Sequence, residues 1–130
     1  VASGGELSRI GLAIFTLTSR NTSVPTLIFD EVDSGVGGAT GEVVGRMMKQ
    51  LGQTRQVLCV THLPQVAACG DHHLKVEKVS DGIETVSYLR ELNPTQRVEE
   101  IARMLGGLLI TQKTKVLAEE MVKANLSQEE

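Results

Sequence analysis

The apolar positions in the first half of the chain predict a helix, a strand, a second helix and a second strand. Apolar residues recur at helical spacing from Leu7 to Leu17 and again over residues 43–51. Residues 26–29 and 56–61 are mostly apolar without alternation, which is typical of strands buried in a parallel sheet. A strand, a helix and a strand within about 35 residues have the length of a βαβ crossover.

The pattern changes in the second half of the chain. Pro64 favours the first turn of a short helix that ends near Gly70. Residues 73–79 and 83–89 then alternate roughly between apolar and polar side chains, as the strands of a hairpin do. The turn between them contains Gly82, which we expect to take the left-handed conformation.

Two further helices are predicted after the hairpin. Asn93 and Pro94 are typical of a capped helix start, and the glycines at 106–107 predict its end. The positions predicted to face inward are Val98, Ile101, Ala102 and Leu105. A last helix is predicted from Thr111. The fold class is therefore α/β, with mostly parallel buried strands and flanking helices, followed by a β-hairpin and two C-terminal helices.

Composition narrows the function classes. Of the 130 residues, 41% are hydrophobic and 22% are charged, which excludes a disordered chain. A net charge of −3 and an aromatic content of 2% argue against a basic nucleic-acid coat and a base-stacking platform. No apolar run has the length of a membrane span, and two cysteines favour a reducing cytoplasm. The chain opens at Val1 directly before a motif, so we expect a segment of a longer protein.

Candidate chemistry lies where the two predicted parallel strands end. Asp30 and Glu31 follow the first strand, and His62 follows the second. Because the carboxyl ends of parallel strands share one edge of a sheet, we expect these side chains to meet there. They suit a phosphate site, in which a carboxylate holds Mg²⁺, a glutamate activates water and a histidine contacts the terminal phosphate. The alternative is a solvated acidic turn beside an ordinary histidine.

The start of the first predicted helix is a second candidate. Ser3 and Glu6 have the spacing of a capping box, and Gly4 and Gly5 would let an anion approach the free N–H groups. The alternative is a well-capped helix with no ligand. The phosphate-binding pattern GxxxxGK[ST] is absent from the sequence, so we do not expect this segment to contain the loop that makes most contacts to a bound nucleotide.

Two metal sites are weaker alternatives. Cys59 with His62, and Cys69 with His72, repeat a spacing seen in zinc sites, but Cys59 lies in an apolar strand. A two-metal centre could use the acidic residues after the first strand, which are Asp30, Glu31 and Asp33. That centre does not account for the glycines at the helix start.

The order of these motifs resembles the C-terminal lobe of an ABC/SMC-type ATPase head. Residues 2–9 (ASGGELSR) resemble the signature motif, and residues 27–31 (LIFDE) resemble Walker B with its catalytic glutamate. Residues 34–37 (SGVG) occupy the D-loop position, although Gly37 stands where aspartate is common. Residues 60–62 (VTH) resemble the switch histidine motif. Further stretches resemble a bacterial DNA-repair branch of this family; they are residues 61–67 (THLPQVA) and 102–107 (ARMLGG).

The resemblance implies that residues 1–130 form one lobe of a head that hydrolyses ATP with Mg²⁺ in the complete protein, while this segment alone is inactive. By position Asp30 would hold Mg²⁺, directly or through water, Glu31 would activate water and His62 would contact the γ-phosphate. The γ-phosphate of a second head's ATP would meet the signature residues, which are Ser3, Gly4, Gly5 and Glu6.

The resemblance also implies partners and a location. The implied partners are an N-terminal lobe that carries Walker A, a second identical head joined through ATP, and DNA. No membrane partner is implied. The expected role is recombinational repair of double-strand breaks in the bacterial cytoplasm, at the nucleoid. The alternative is a non-catalytic ABC-like module for dimerisation or partner binding.

Overall fold

The computed structural model describes residues 2–18 and 23–126. In chain order the elements are α1 (Gly4–Thr18), β1 (Thr26–Phe29), α2 (Gly38–Gly52), β2 (Gln56–Cys59), α3 (Pro64–Ala67), β3 (Leu74–Ser80), β4 (Thr85–Glu91), α4 (Pro94–Gly106) and α5 (Gln112–Leu126). The start at Val1, residues 19–22 and the last four residues lie outside the described residues. No helix in the described ranges is long and apolar enough to cross a membrane.

The first half of the chain forms the predicted βαβ unit. Strands β1 and β2 are parallel, with Thr26 opposite Gln56 and Phe29 opposite Cys59. The pairing continues one residue beyond β2, where Val60 N–H donates to Phe29 O at 2.9 Å. The two strands therefore end together, which places the segments that follow them at one edge of the sheet.

The helices cover one face of this sheet. Leu27 and Phe29 of β1 are buried, whereas Ile28 between them is 71% exposed. The main core also contains residues from α1, α2, α3 and the loop after β1; they are Leu12, Val32, Val44, Met48, Leu51 and Val66. The burial predicted on both faces of the strands is thus seen on one face within the described part of the chain.

Helix α1 turns a different side to the core than its pattern suggests. Leu12 is 1% exposed, and Phe15 packs beside it. Of the residues that define the apolar spacing, Ala13 is half-buried and the other four are exposed; these are Leu7, Ile10, Ile14 and Leu17. The prediction of an apolar face is correct, but that face points away from the core of the described residues.

The second half of the chain forms a hairpin and a helix pair. Strands β3 and β4 are antiparallel, and Gly82 in their turn has a φ of 90°. Asn93 caps α4 in a capping box with Gln96, and Gly107 ends it with a φ of 63°. Helices α4 and α5 share a small core formed by Ala68, Ile101, Ala102 and Ala118. The predicted hairpin and both predicted helix boundaries of α4 are confirmed.

Candidate functional site

The segments after β1 and β2 meet through Asp33. Its carboxyl oxygen Oδ2 accepts hydrogen bonds from the Thr61 hydroxyl, from His62 N–H at 3.0 Å and from Leu63 N–H at 3.3 Å. The same oxygen lies 3.3 Å from Nδ1 of His62, whose ring is 70% exposed. The structure therefore brings the predicted histidine to the acidic segment, as the strand order requires.

Asp33 is a buried charge that the site keeps ionised. Its side chain is 2% exposed. Burial acts to raise its pKa, but the hydrogen bonds from Thr61 and His62 outweigh burial and hold the pKa below its ordinary value. The sequence pattern places Asp33 in the acidic run after β1 and in the alternative two-metal centre. Its partners lie 28 to 30 residues away, so no local spacing could signal its role.

Glu31 adopts an unusual backbone conformation beside the start of α1. Its φ is 58°, in the left-handed region where a non-glycine residue costs about 1–3 kcal/mol. A Cβ on Gly4 would lie 2.7 Å from Glu31 Oε2. The carboxylate therefore lies against the N-terminus of α1, where the helix dipole favours negative charge. Asp30 and Glu31 are both exposed.

The start of α1 is capped and closely packed. Ser3 Oγ accepts a hydrogen bond from Glu6 N–H at 3.2 Å, as a capping residue does. Gly5 is buried, and a Cβ there would lie 2.9 Å from Cβ of Ser34 and 3.0 Å from Glu31 O. Only glycine fits this approach without moving the loop after β1. Ser3, Gly4 and Glu6 remain exposed.

Two further side chains tie α1 to the loop after β1. The Ser8 hydroxyl donates to Asp30 O at 2.9 Å. Arg9 Nη1 donates to Val32 O at 3.2 Å and to Ser34 O at 2.8 Å. Both residues belong to the stretch that resembles the signature motif, but the sequence pattern predicts no role for them. Together with Asp33, they make the helix start, the acidic segment and the histidine segment one connected unit.

The metal alternatives find little support in the side chains. Burial raises the pKa of the Cys59 thiol to about 12, and Cys59 packs against the main core as a small apolar side chain does. Over residues 2–18 and 23–126, no group of three or more His, Cys, Asp or Glu residues could hold a metal ion. Asp30 offers one exposed carboxylate, which fits a Mg²⁺ that takes its other ligands from phosphates and water.

Comparisons with known proteins place the chain in a family. It is 51% identical over 124 residues to the DNA repair protein RecN of Vibrio cholerae, covering 95% of this chain and 22% of that protein. It is 52% identical over 122 residues to RecN of Haemophilus influenzae, covering 94% and 22%, and 53% identical over 107 residues to RecN of Deinococcus radiodurans, covering 82% and 19%. The chain spans about a fifth of the length of these curated relatives. No protein-family model matches it.

A solved structure confirms the fold. A chain from structural work on ATP-driven dimerization and DNA stimulated activation of SMC ATPases superposes with a TM-score of 0.61 at 22% identity. The match covers 83% of this chain and 65% of that one. With the parallel strand pair and the motif order described above, the chain has the fold of an ABC/SMC-type ATPase lobe and belongs to the RecN family of DNA repair proteins.

Proposed function

We propose that residues 1–130 form the C-terminal lobe of an ATPase head that closes on a second identical head with ATP between them. The observation that carries this proposal is the meeting of three segments at one edge: the start of α1, the acidic segment after β1 and His62 after β2. Family membership supports a role in DNA repair, and we propose recombinational repair of double-strand breaks. DNA is proposed as a partner on the same ground.

The exposed groups at this edge suit distinct steps of ATP hydrolysis. The Asp30 carboxylate would hold Mg²⁺, directly or through water, and the metal would neutralise charge on the transferred phosphate. The Glu31 carboxylate would take a proton from the attacking water. The exposed ring of His62 would contact the γ-phosphate. Each role requires access to ligand, and all three side chains are exposed.

The start of α1 would bind the ATP that the other head holds. Its free N–H groups form an anion site, and Gly4 carries no side chain that would keep a phosphate away. Ser3 and Glu6 flank this site from exposed positions.

The open apolar surfaces support docking of a lobe that carries Walker A. Leu7, Ile10 and Ile14 of α1 are each more than half exposed, and Ile28 extends an apolar surface on the open face of the sheet. The sequence contains no Walker A pattern, so the proposed ATP site needs residues from another lobe. We propose that this lobe is the N-terminal lobe of the same protein.

The experiment replaces Ser3 with arginine in a full-length RecN-family protein that carries this segment. We expect Ser3→Arg to leave ATP binding at the protein's own site nearly intact and to abolish the ATP-dependent head dimer. The arginine side chain would block the approach of the second head's phosphate. Light scattering with and without ATP measures the dimer, on protein whose melting curve is unchanged.

A matched control separates ligand binding from helix capping. Thr111 Oγ1 accepts a hydrogen bond from Thr114 N–H at 3.2 Å, as Ser3 does from Glu6 N–H, but at the start of α5. We expect Thr111→Arg to cost about 1 kcal/mol of stability and to leave dimerisation unchanged. A folded Ser3→Arg protein that still dimerises with ATP would return Ser3 to a plain helix cap. Dimerisation without any hydrolysis in the parent protein would favour the non-catalytic module.

A further inference from the structure

The geometry points to Asp33 as a positioning residue that fixes the path of residues 61–63 and so holds His62 in place for the terminal phosphate. This inference rests on the proposed function for the role of His62. It goes further by assigning a task to a buried carboxylate that lies outside the exposed reacting groups. A single oxygen, Asp33 Oδ2, makes the contacts to Thr61, His62 and Leu63.

The contacts fix a backbone rather than a side chain. Two of the donors are the successive amide groups of His62 and Leu63, and the third is the Thr61 hydroxyl. Thr61 Oγ1 also accepts from Leu63 N–H at 3.1 Å, which closes a small ring of hydrogen bonds. Because β2 ends at Cys59, no strand pairing constrains these residues. Asp33 supplies the constraint that the sheet no longer gives.

The position of Asp33 is itself fixed from two sides. Its neighbour Val32 is fully buried in the main core, and Val32 O accepts a hydrogen bond from Arg9. Asp33 therefore fixes residues 61–63 relative to the core and to α1. The His62 ring stays exposed, with Nδ1 3.3 Å from Asp33 Oδ2, so the opposite ring nitrogen is directed away from the carboxylate.

The test is a double-mutant cycle in a full-length RecN-family protein that carries this segment. We expect Asp33→Ala to lower kcat about 10-fold with KM for ATP changed less than about 2-fold, because ATP affinity resides mainly in the other lobe. Asp33→Asn retains an oxygen acceptor and should recover kcat to within about 3-fold of the parent. In the His62→Ala background, Asp33→Ala should cause little further loss, since a residue that acts through His62 has nothing left to position.

Glu100→Gln is the matched control, because Glu100 is also a buried carboxylate but lies on α4. We expect this change to leave kcat near the parent value in both backgrounds. Hydrogen exchange supplies a readout independent of activity: the amides of residues 61–63 should exchange at least about 10-fold faster in Asp33→Ala, while those of the hairpin keep their rates. If Asp33→Ala does not fold, Thr61→Val removes one donor and should show the same two effects at smaller size.

The failures of the two proposals are distinguishable. If His62→Ala turns over ATP at the parent rate, the role proposed for His62 is wrong, and the catalytic part of this inference falls with it. If His62→Ala lowers kcat but Asp33→Ala adds its full loss to it, Asp33 does not act through His62. Unchanged exchange at residues 61–63 would overturn the positioning role directly, whatever the activity.

Discussion

Two buried carboxylates, one in each half of the chain, are held by different kinds of partner. Asp33 at the strand edge accepts from a hydroxyl and two backbone amides. Glu100 on α4 accepts from Arg103 Nε at 3.0 Å and lies 2.9 Å from Lys75 Nζ on β3. For both, burial acts to raise the pKa, but the hydrogen bonds outweigh burial and hold it below its ordinary value.

The partners of Glu100 make a structural ion pair, whereas the partners of Asp33 fix the position of a chain segment. At Glu100 the partners are cationic side chains, so the charge is neutralised and the contact fastens the hairpin to α4. At Asp33 the donors are mostly backbone, so the contact fixes the course of the chain. Its flanking groups include the exposed His62 ring, which is available to a ligand. Backbone donors around Asp33 thus fix a chain segment, whereas the cationic partners of Glu100 join two elements to each other.

The largest expected effect is at Glu31. In a full-length RecN-family protein carrying this segment, Glu31→Gln should slow steady-state ATP turnover by about 10²-fold or more, because it removes the proposed base and keeps the shape. ATP binding should be preserved. Glu100→Gln should do the opposite, with reduced stability and unchanged turnover. Turnover within about threefold of the parent in Glu31→Gln would show that Glu31 is not the base.

Nucleotide affinity gives a second test of the site. The isolated 130-residue chain should bind Mg-ATP far more weakly than a complete head, because the Walker A residues that make most phosphate contacts are not in its sequence. Isothermal titration calorimetry measures this directly. One-to-one binding with a micromolar dissociation constant would contradict the split site, and with it the contrast between the two halves of the chain.

Packing at Gly5 predicts an intermediate effect on stability. Gly5→Ala should destabilise the chain by about 1–3 kcal/mol, since its Cβ would press on Ser34 Cβ and Glu31 O. Gly11→Ala in the same helix meets nothing within 4 Å and should stabilise it by about 1 kcal/mol. Urea unfolding of the two variants measures the difference. Equal effects would mean that α1 does not pack on the loop after β1 as described.

The smallest expected effect is on the pH dependence of stability. Because the folded-state pKa of Glu100 lies below its ordinary value of 4.5, the unfolded chain takes up protons more readily as the pH falls. The stability that Glu100 contributes is therefore present above about pH 4.5 and is lost below it. Glu100→Gln should lose less stability than the parent between about pH 6 and pH 3. Parallel curves for the two proteins would contradict this.

The sequence predicts the elements well because their signals are local. The hairpin turn at Gly82, the cap at Asn93 and the stop at Gly107 each depend on neighbouring residues, and each is observed. Strand order likewise predicts that His62 meets the acidic segment. The contacts of Asp33 and of Arg9 could not be predicted, because their partners are 23 or more residues away and are defined only by tertiary contacts.

The sequence also does not predict which apolar faces are buried. The spacing of Leu7, Ile10 and Ile14 correctly indicates an apolar face, but spacing cannot say what covers it. In the structure Leu12 takes the core position and that face is exposed. The proposed partner lobe would cover this exposed apolar face of α1. The mismatch between pattern and burial is therefore informative about assembly.

The most direct test of the central claim is complementation between two inactive full-length variants. In an ATP sandwich, each site takes Glu31 from one head and Ser3 from the other, so a mixed dimer of Ser3→Arg and Glu31→Gln proteins contains one intact site. Mixing equal amounts should restore turnover to between roughly a tenth and a quarter of the parent rate. Mixing parent with Glu31→Gln, which should lower the parent's turnover, verifies that heads exchange partners. If light scattering with ATP shows that Ser3→Arg heads join Glu31→Gln heads in dimers, and the mixture stays at the rate of the two variants alone, the site does not form between heads.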